Sequence, residues 1–169
     1  DHKESVFSFI QKQQCESDLL IFSGAVSKGK KDFVAPCLEE AGFKTHFHGI
    51  AQKPGKPLWF GKHPNGCIAF GLPGNPVSAH FCFQHYILPF LTGIPSKAFM
   101  LTLAEGITNK SSLCFFPPAK INDEKSVEAI AFNTSGDYLS LAHSDGYLEI
   151  APQQELKAGE PVRFTYWNG

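Results

Sequence analysis

Between His63 and Ser96 the chain has no Asp, Glu, Lys or Arg. Five prolines and four glycines interrupt that run, so it excludes a membrane-spanning helix, which needs about 20 continuous apolar residues. It reads instead as buried strand, loop and buried helix. The five cysteines (15, 37, 67, 82, 114) are odd in number and contain no C-x-x-C pair, which argues against a disulfide framework or a zinc ribbon and for reduced thiols in a cytosolic protein. There is no G-x-S-x-G elbow and no carboxylate pair suited to glycoside hydrolysis. His46 and His48 share one strand face without a third ligand at a zinc-site spacing, so they read as structural. No internal repeat is visible. A net charge of −1 supplies no overall field for nucleic acid or a membrane surface.

What charge there is lies unevenly. Residues 1–97 carry ten lysines against seven acids, and residues 98–169 carry five Lys and Arg against nine acids. Residues 23–62 alone hold seven lysines and three acids. A local cationic surplus around glycine-rich turns is what an anionic ligand requires.

The pattern predicts a helix from His2 to about Cys15, with Asp1 as N-cap and Glu4 completing a capping box. A doubly wound unit that opens on a helix implies strands upstream, so the chain reads as a piece of a longer protein. Asp18–Phe22 is a buried strand. Asp32 is the expected N-cap of the next helix, which Gly42 closes. Residues 43–50 are β-patterned. Leu58–Gly61 and Cys67–Phe70 form a hairpin around HPNG (His63–Gly66). Asn75-Pro76 is a strong helix start. That helix runs to about Thr92, with apolar residues nearly all round, and so is expected to be buried on more than one side. After Pro95 short strands follow. The expected architecture is α/β: part of a doubly wound domain over 1–97, then a small all-β domain over 98–169.

Three turns could carry chemistry. SGAVSKGKKD (Ser23–Asp32) satisfies G-x-x-x-x-G-K through Gly24, Gly29 and Lys30, but Lys31 replaces the hydroxyl residue that would bind Mg²⁺ in a nucleotide-binding P-loop. A strand entering a Gly-rich turn before a helix can still hold an anion, with Ser23 and Ser27 as added donors. A tight turn that binds nothing is the equal alternative. KPGKP (Lys53–Pro57) sets two lysines on a rigid turn. GLPGNP (Gly71–Pro76) allows close backbone approach at Gly74. In a doubly wound sheet such turns share one rim. Asp32 is explained by helix capping, or by binding a metal or orienting a reacting group.

In that order and spacing, SGAVSKGKKD, KPGKP and GLPGNPVSA resemble the molybdopterin molybdenumtransferases (MoeA proteins and the gephyrin E domain). NTSGDYLSLAHSDGYLEIAP and AGEPVRF are similar to that family's C-terminal β domain. The resemblance implies a MogA-like α/β/α domain followed by that β domain. It implies insertion of molybdate into adenylylated molybdopterin with release of AMP, dependence on Mg²⁺, a cytoplasmic homodimer, and neither nucleic acid nor membrane as partner. Carried over by motif, Ser23, Gly24, Ser27 and Gly29 would line the pterin-phosphate loop. Asp32 would be the acid near metal or reacting phosphate. Lys53 and Lys56 would hold molybdate or phosphate. Pro73, Gly74, Asn75 and Pro76 would form the opposite lip, and Ser135 would reach in from the β domain. Two departures stand out: Ala25 replaces a glycine of the usual SGGVS, and the family's TGDE-like motif is absent. The chain alone is therefore expected to bind a phosphate-bearing ligand weakly without turnover. A molybdopterin adenylyltransferase and a non-catalytic scaffold module are the alternative readings.

Overall fold

The computed structural model describes residues 2–24, 32–123, 125–131 and 138–167. Contacts divide the chain into two compact units, Asp1–Ile50 with Gly55–Asn75, and Ala51–Pro54 with Pro76–Gly169.

The first unit opens on α1 (Lys3–Gln13), followed by β1 (Leu19–Ser23). Asp1, the expected cap, lies outside the described residues. The N-cap position falls on His2, which makes no side-chain cap bond. Burial of Ile10 fixes the helix instead, with Val6 and Phe7 packed on the same core. Helix α2 (Val34–Glu40) begins one residue later than expected. Its N-cap is Phe33, which has no oxygen to offer the first amides, so Asp32 does not occupy the cap position. Its end follows the sequence closely. Gly42 takes φ 99°, the Gly42 N–H donates to Glu39 and the Phe43 N–H donates to Leu38. That is the paired closing bond of a left-handed C-terminal cap.

Strand β2 (Lys44–His48) is followed by the two-residue β3 (Gln52–Lys53), then β4 (Trp59–Lys62) and β5 (Ile68–Leu72). β4 and β5 are the expected hairpin, with Gly66 at φ 106° in its turn. The sheet order is β1-β5-β4-β2. Only β1 and β5 run parallel; β5–β4 and β4–β2 are antiparallel. The observed class is α/β as expected, with a mixed sheet. One face buries Leu20, Trp59 and Ala69 with Ile10, Cys37 and Leu38 of the two helices. The other carries Phe47, Phe60 and Phe70 at one register, with ring centroids 5.4 and 4.8 Å apart. Period-two alternation puts these two apolar sets on opposite faces.

The second unit takes in β3, then α3 (Pro76–Cys82), a π-helical turn (Phe83–Ile87) and α4 (Leu88–Thr92). Pro76 is the first helical residue, as the Asn-Pro pair predicts. Pro89 has no N–H for the carbonyl four residues earlier and would crowd it; the widened turn lies just before it. Gly93 ends the run at φ 68°. Burial along this run is uneven. Val77, Phe81, Cys82 and Ile87 are buried, but Phe90 and Leu91 are about half exposed.

Among the described residues eight strands follow: β6 (Ala98–Leu103), β7 (Ile107–Thr108), β8 (Cys114–Phe115), β9 (Pro118–Ile121), β10 (Ser126–Ala129), β11 (Gly146–Glu149), β12 (Glu155–Leu156) and β13 (Pro161–Tyr166). Five close a barrel in the order β10-β6-β13-β11-β9. Its interior is Leu103, Ala119, Val127, Leu148, Val162 and Phe164, all at most 2% exposed. A short helix, α5 (Tyr138–Ala142), interrupts the β sequence and departs from the all-β expectation. Within this unit Phe81 stacks on Phe116 at 4.8 Å and meets Tyr147 edge-on at 5.1 Å, seating α3 on the barrel.

Candidate functional site

The sheet register decides where the three predicted turns emerge. Ser23, the last residue of β1, pairs with Leu72, the last of β5. Gly71 pairs with Trp59, the first residue of the antiparallel β4, and Trp59 pairs with His48, the last of β2. The turns after β1, after β5 and between β2 and β4 therefore leave one rim of one sheet. With strands about 4.8 Å apart, four strands spread them over roughly 14 Å.

Two of the turns touch. The Gly24 N–H donates to the Leu72 carbonyl at 3.0 Å. A Cβ on Gly74 would lie 3.5 Å from Gly24 Cα. Gly24 holds φ +85°, a conformation that disfavours any L side chain. Its amide is spent on Leu72, so Gly24 brings the two loops together and does not itself donate to a ligand. Gly74 is exposed, and no acceptor for its N–H is found among the described residues. Ser23 ends β1 beside it, and Pro73 and Asn75 flank it. Pro76 belongs by contacts to the second unit.

The KPGKP turn is divided. Lys56 belongs to the first unit, where its carbonyl accepts from Ile50 N–H at 2.9 Å and Gly49 N–H donates to Leu58 at 2.8 Å. These two bonds close the turn and hold Lys56 exposed at the rim. Lys53 belongs to the second unit, where β3 pairs in parallel with β8 and the Lys53 carbonyl accepts from Phe116 N–H at 2.7 Å. Its ammonium lies 5.6 Å from the Phe115 ring centroid. Neither lysine is in an ion pair among the described residues, where the pairs are Lys3–Glu40 and Arg163–Glu149.

Asp32 lies just past the β1 turn, two residues before the first residue of α2. Ser27, Gly29 and Ser135 fall outside the described residues, as does Ala25. Among the described residues no group of three or more His, Cys, Asp or Glu could hold a metal ion. Asp32 can therefore supply one carboxylate only. That suits Mg²⁺ bound through one protein ligand, substrate phosphates and water; it does not suit an all-protein cage.

The sequence reading passed over a buried polar cluster in the second unit. His85 Nδ1 lies 2.7 Å from the Tyr147 hydroxyl, and the Tyr86 hydroxyl donates to Gln52 Oε1. Burial holds His85 below its ordinary pKa and pushes Tyr147 up to about 12, so both stay neutral near neutral pH. Gln52 is 31 residues from the start of the π turn, and nothing local signals that pairing.

The first unit is an α/β domain with backbone and ammonium donors on one sheet edge, and the second is built on a five-stranded barrel. The family model described as "Probable molybdopterin binding domain" matches residues 1–93, and that described as "MoeA C-terminal region (domain IV)" matches 101–167. A molybdopterin molybdenumtransferase of Synechocystis sp. is 37% identical over 99% of this chain and 43% of its own length. That of Haemophilus influenzae is 47% identical over 92% of this chain and 41% of its own. The crystal structure of a molybdopterin biosynthesis MoeA protein from Pyrococcus horikosii superposes with a TM-score of 0.82 at 31% identity, covering 100% of this chain and 42% of that one. The chain belongs to the molybdopterin molybdenumtransferase family. It spans about two fifths of the length of the relatives it matches.

Proposed function

We propose that the protein of which this chain is a part acts in molybdenum cofactor biosynthesis, inserting molybdate into adenylylated molybdopterin with release of AMP. The observation that carries this is the emergence of all three predicted turns from one rim of the first unit's sheet. An amide at Gly74 and an ammonium at Lys56 then face a phosphate-bearing ligand, with Gly24 keeping the floor free of side chains. Ser23, Pro73 and Asn75 complete the lining in this reading; Ser27, Gly29, Lys53, Pro76 and Ser135 are assigned to ligand binding by the motif alone. Asp32 is the residue that would hold Mg²⁺, and bound Mg²⁺ would neutralise charge on the phosphates. Lysine suits a phosphate or molybdate oxygen because it is a compact point charge with three donors.

We extend the proposal to a cytoplasmic homodimer with neither nucleic acid nor membrane as partner. Half-exposed Phe90 and Leu91, with Ile94 and Met100 at 68% and 62% exposure, support a protein contact on the second unit. No helix among the described residues is long and apolar enough to cross a membrane. The division at residues 97 and 98 marks the two inherited modules, a reading supported by family matches that end at 93 and resume at 101. The isolated chain, which spans about two fifths of its relatives' length, should bind a phosphate-bearing ligand weakly without turning over.

The test is the full-length parent with adenylylated molybdopterin. Molybdate-dependent AMP release and molybdenum incorporation are expected. An ATP-dependent adenylylated product with no response to molybdate would replace this reading with the adenylyltransferase. Absence of both would favour the scaffold.

A further inference from the structure

Packing alone does not explain Gln52. It is 2% exposed, and a leucine or methionine there would fill the space with no buried amide to satisfy. The amide is instead held at both ends. The Tyr86 hydroxyl donates to Gln52 Oε1, and Gln52 Nε2 lies 3.9 Å from Cys82 Sγ. Cys82 and Tyr86 are four residues apart on one helical run, which puts them on one face of it. Burial raises the Tyr86 pKa well above its ordinary value, so the hydroxyl keeps the proton it donates. Tyr86 sits in the π-helical turn, a feature that recurs at functional sites.

The place of Gln52 in the chain shows what such a bond does. It is the first residue of the two-residue β3, and Lys53 is the second. β3 meets β8 in the register Gln52–Cys114 and Lys53–Phe115. Two backbone bonds close that pairing: Cys114 N–H donates to the Ala51 carbonyl at 3.0 Å, and Phe116 N–H to the Lys53 carbonyl at 2.7 Å. A slip of one residue exchanges the two faces of a strand, and here it would bury Lys53 and expose Gln52. Most strands resist a slip through an apolar face. β3 consists of two polar residues and has none. Backbone pairing with β8 is the same in kind at any register; the bond from Tyr86 is not. It holds Gln52 inward and so keeps Lys53 outward, with its ammonium 5.6 Å from the ring centroid of Phe115, its cross-strand partner.

We propose that Tyr86 is a positioning residue for Lys53, acting through Gln52: their hydrogen bond fixes the register of β3 and thereby the side on which the Lys53 ammonium is presented. The role of Lys53 toward a substrate oxyanion rests on the proposed function; the fixing of β3 rests on the geometry.

Two measurements test it. Hydrogen exchange on the chain reads the strand. Tyr86→Phe keeps the ring and removes the donor, so protection of the Phe116 N–H should fall about tenfold. The Leu103 N–H, which donates to Glu160 in the barrel, should keep its protection. Kinetics of the full-length parent read Lys53. Tyr86→Phe should lower kcat/KM about tenfold, through the same parameter, KM or kcat, that Lys53→Ala moves. In the Lys53→Ala background it should change kcat/KM by no more than about twofold. Tyr147→Phe removes the neighbouring buried hydroxyl, which meets His85 and not Gln52, and should leave kcat/KM within about twofold of the wild type. Unaltered protection at Phe116, equal loss of protection at Leu103, or wild-type kcat/KM in Tyr86→Phe would overturn the proposal. So would full additivity with Lys53→Ala, or a Tyr147→Phe as costly as Tyr86→Phe. A wild-type parent without molybdate-dependent turnover would defeat the proposed function alone, and the exchange at Phe116 would still decide the positioning.

Discussion

Gly24 and Gly74 touch, yet alanine at each should have opposite consequences. Among the described residues, a Cβ at Gly24 would meet only Gly74 Cα, at an ordinary 3.9 Å. The backbone is the obstacle. Gly24 holds φ +85°, and an L residue in the left-handed region costs about 1–2 kcal/mol. Gly24→Ala should therefore destabilise the first unit by about 1–2 kcal/mol. Gly74 carries no such angle, and its Cβ would sit at an ordinary 3.5 Å from Gly24 Cα. Gly74→Ala should change stability by no more than about 0.5 kcal/mol. Its methyl group would stand on the rim beside the open amide, and a loss of about 1.4 kcal/mol in binding is tenfold in affinity. Urea unfolding followed through Trp59, which is fully buried in the first unit, reads the stability of each variant. AMP titration reads the rim. A neutral Gly24→Ala together with a Gly74→Ala that unfolds the unit would refute the reasoning. So would a Gly74→Ala that binds AMP as the wild type does.

Three further outcomes follow from the second unit. Gly146→Ala should cost about 3 kcal/mol in denaturant unfolding, because its Cβ would collide with the Thr165 carbonyl oxygen and reach within 2.6 Å of the Phe164 ring. Asn109 is buried, donates to the Leu113 and Ala151 carbonyls at 2.8 and 2.9 Å, and accepts from Ser111; Asn109→Ala should cost about 2–4 kcal/mol by leaving several of these groups unpaired. His85 is held neutral by burial, below its ordinary pKa of 6.5. The unfolded chain then binds the proton more readily, so stability is full above pH 6.5 and falls as pH drops below it. Glu149 opposes the shift weakly, and His80, also lowered by burial, adds to the same slope. Thermal unfolding from pH 7.5 to 5 should show the fall, and His85→Gln should flatten it.

Local chemistry made part of this legible from the sequence. Gly42 and Gly66 mark turns because only glycine takes their φ values readily, and the Asn75-Pro76 start needs no partner elsewhere. The rim followed from the order of three such local signals. What failed was non-local. Strand β9 begins on Pro118, whose missing N–H looks like a loop signal, yet proline is tolerated at the first residue of a strand, and Pro118 pairs with Tyr147. The division of KPGKP depends on β3 meeting β8 some sixty residues away, a register no composition reveals. Phe90 and Leu91 carry the same apolar pattern as buried Phe81, and only packing separates them. Asp32 missed the cap by one residue, within the usual uncertainty of a helix boundary.

The central claim is that one end of the first unit's sheet holds an anion between the β1 and β5 turns, with Lys56 beside them. Amide NMR of the chain, titrated with AMP, tests it most directly. Shifts should concentrate at Ser23, Gly24, Gly74, Asn75 and Lys56 and leave Leu19, Lys62 and Ile68, at the opposite end of the same strands, unmoved. Shifts at that far end, or saturating AMP without movement at Gly74 and Lys56, would contradict it.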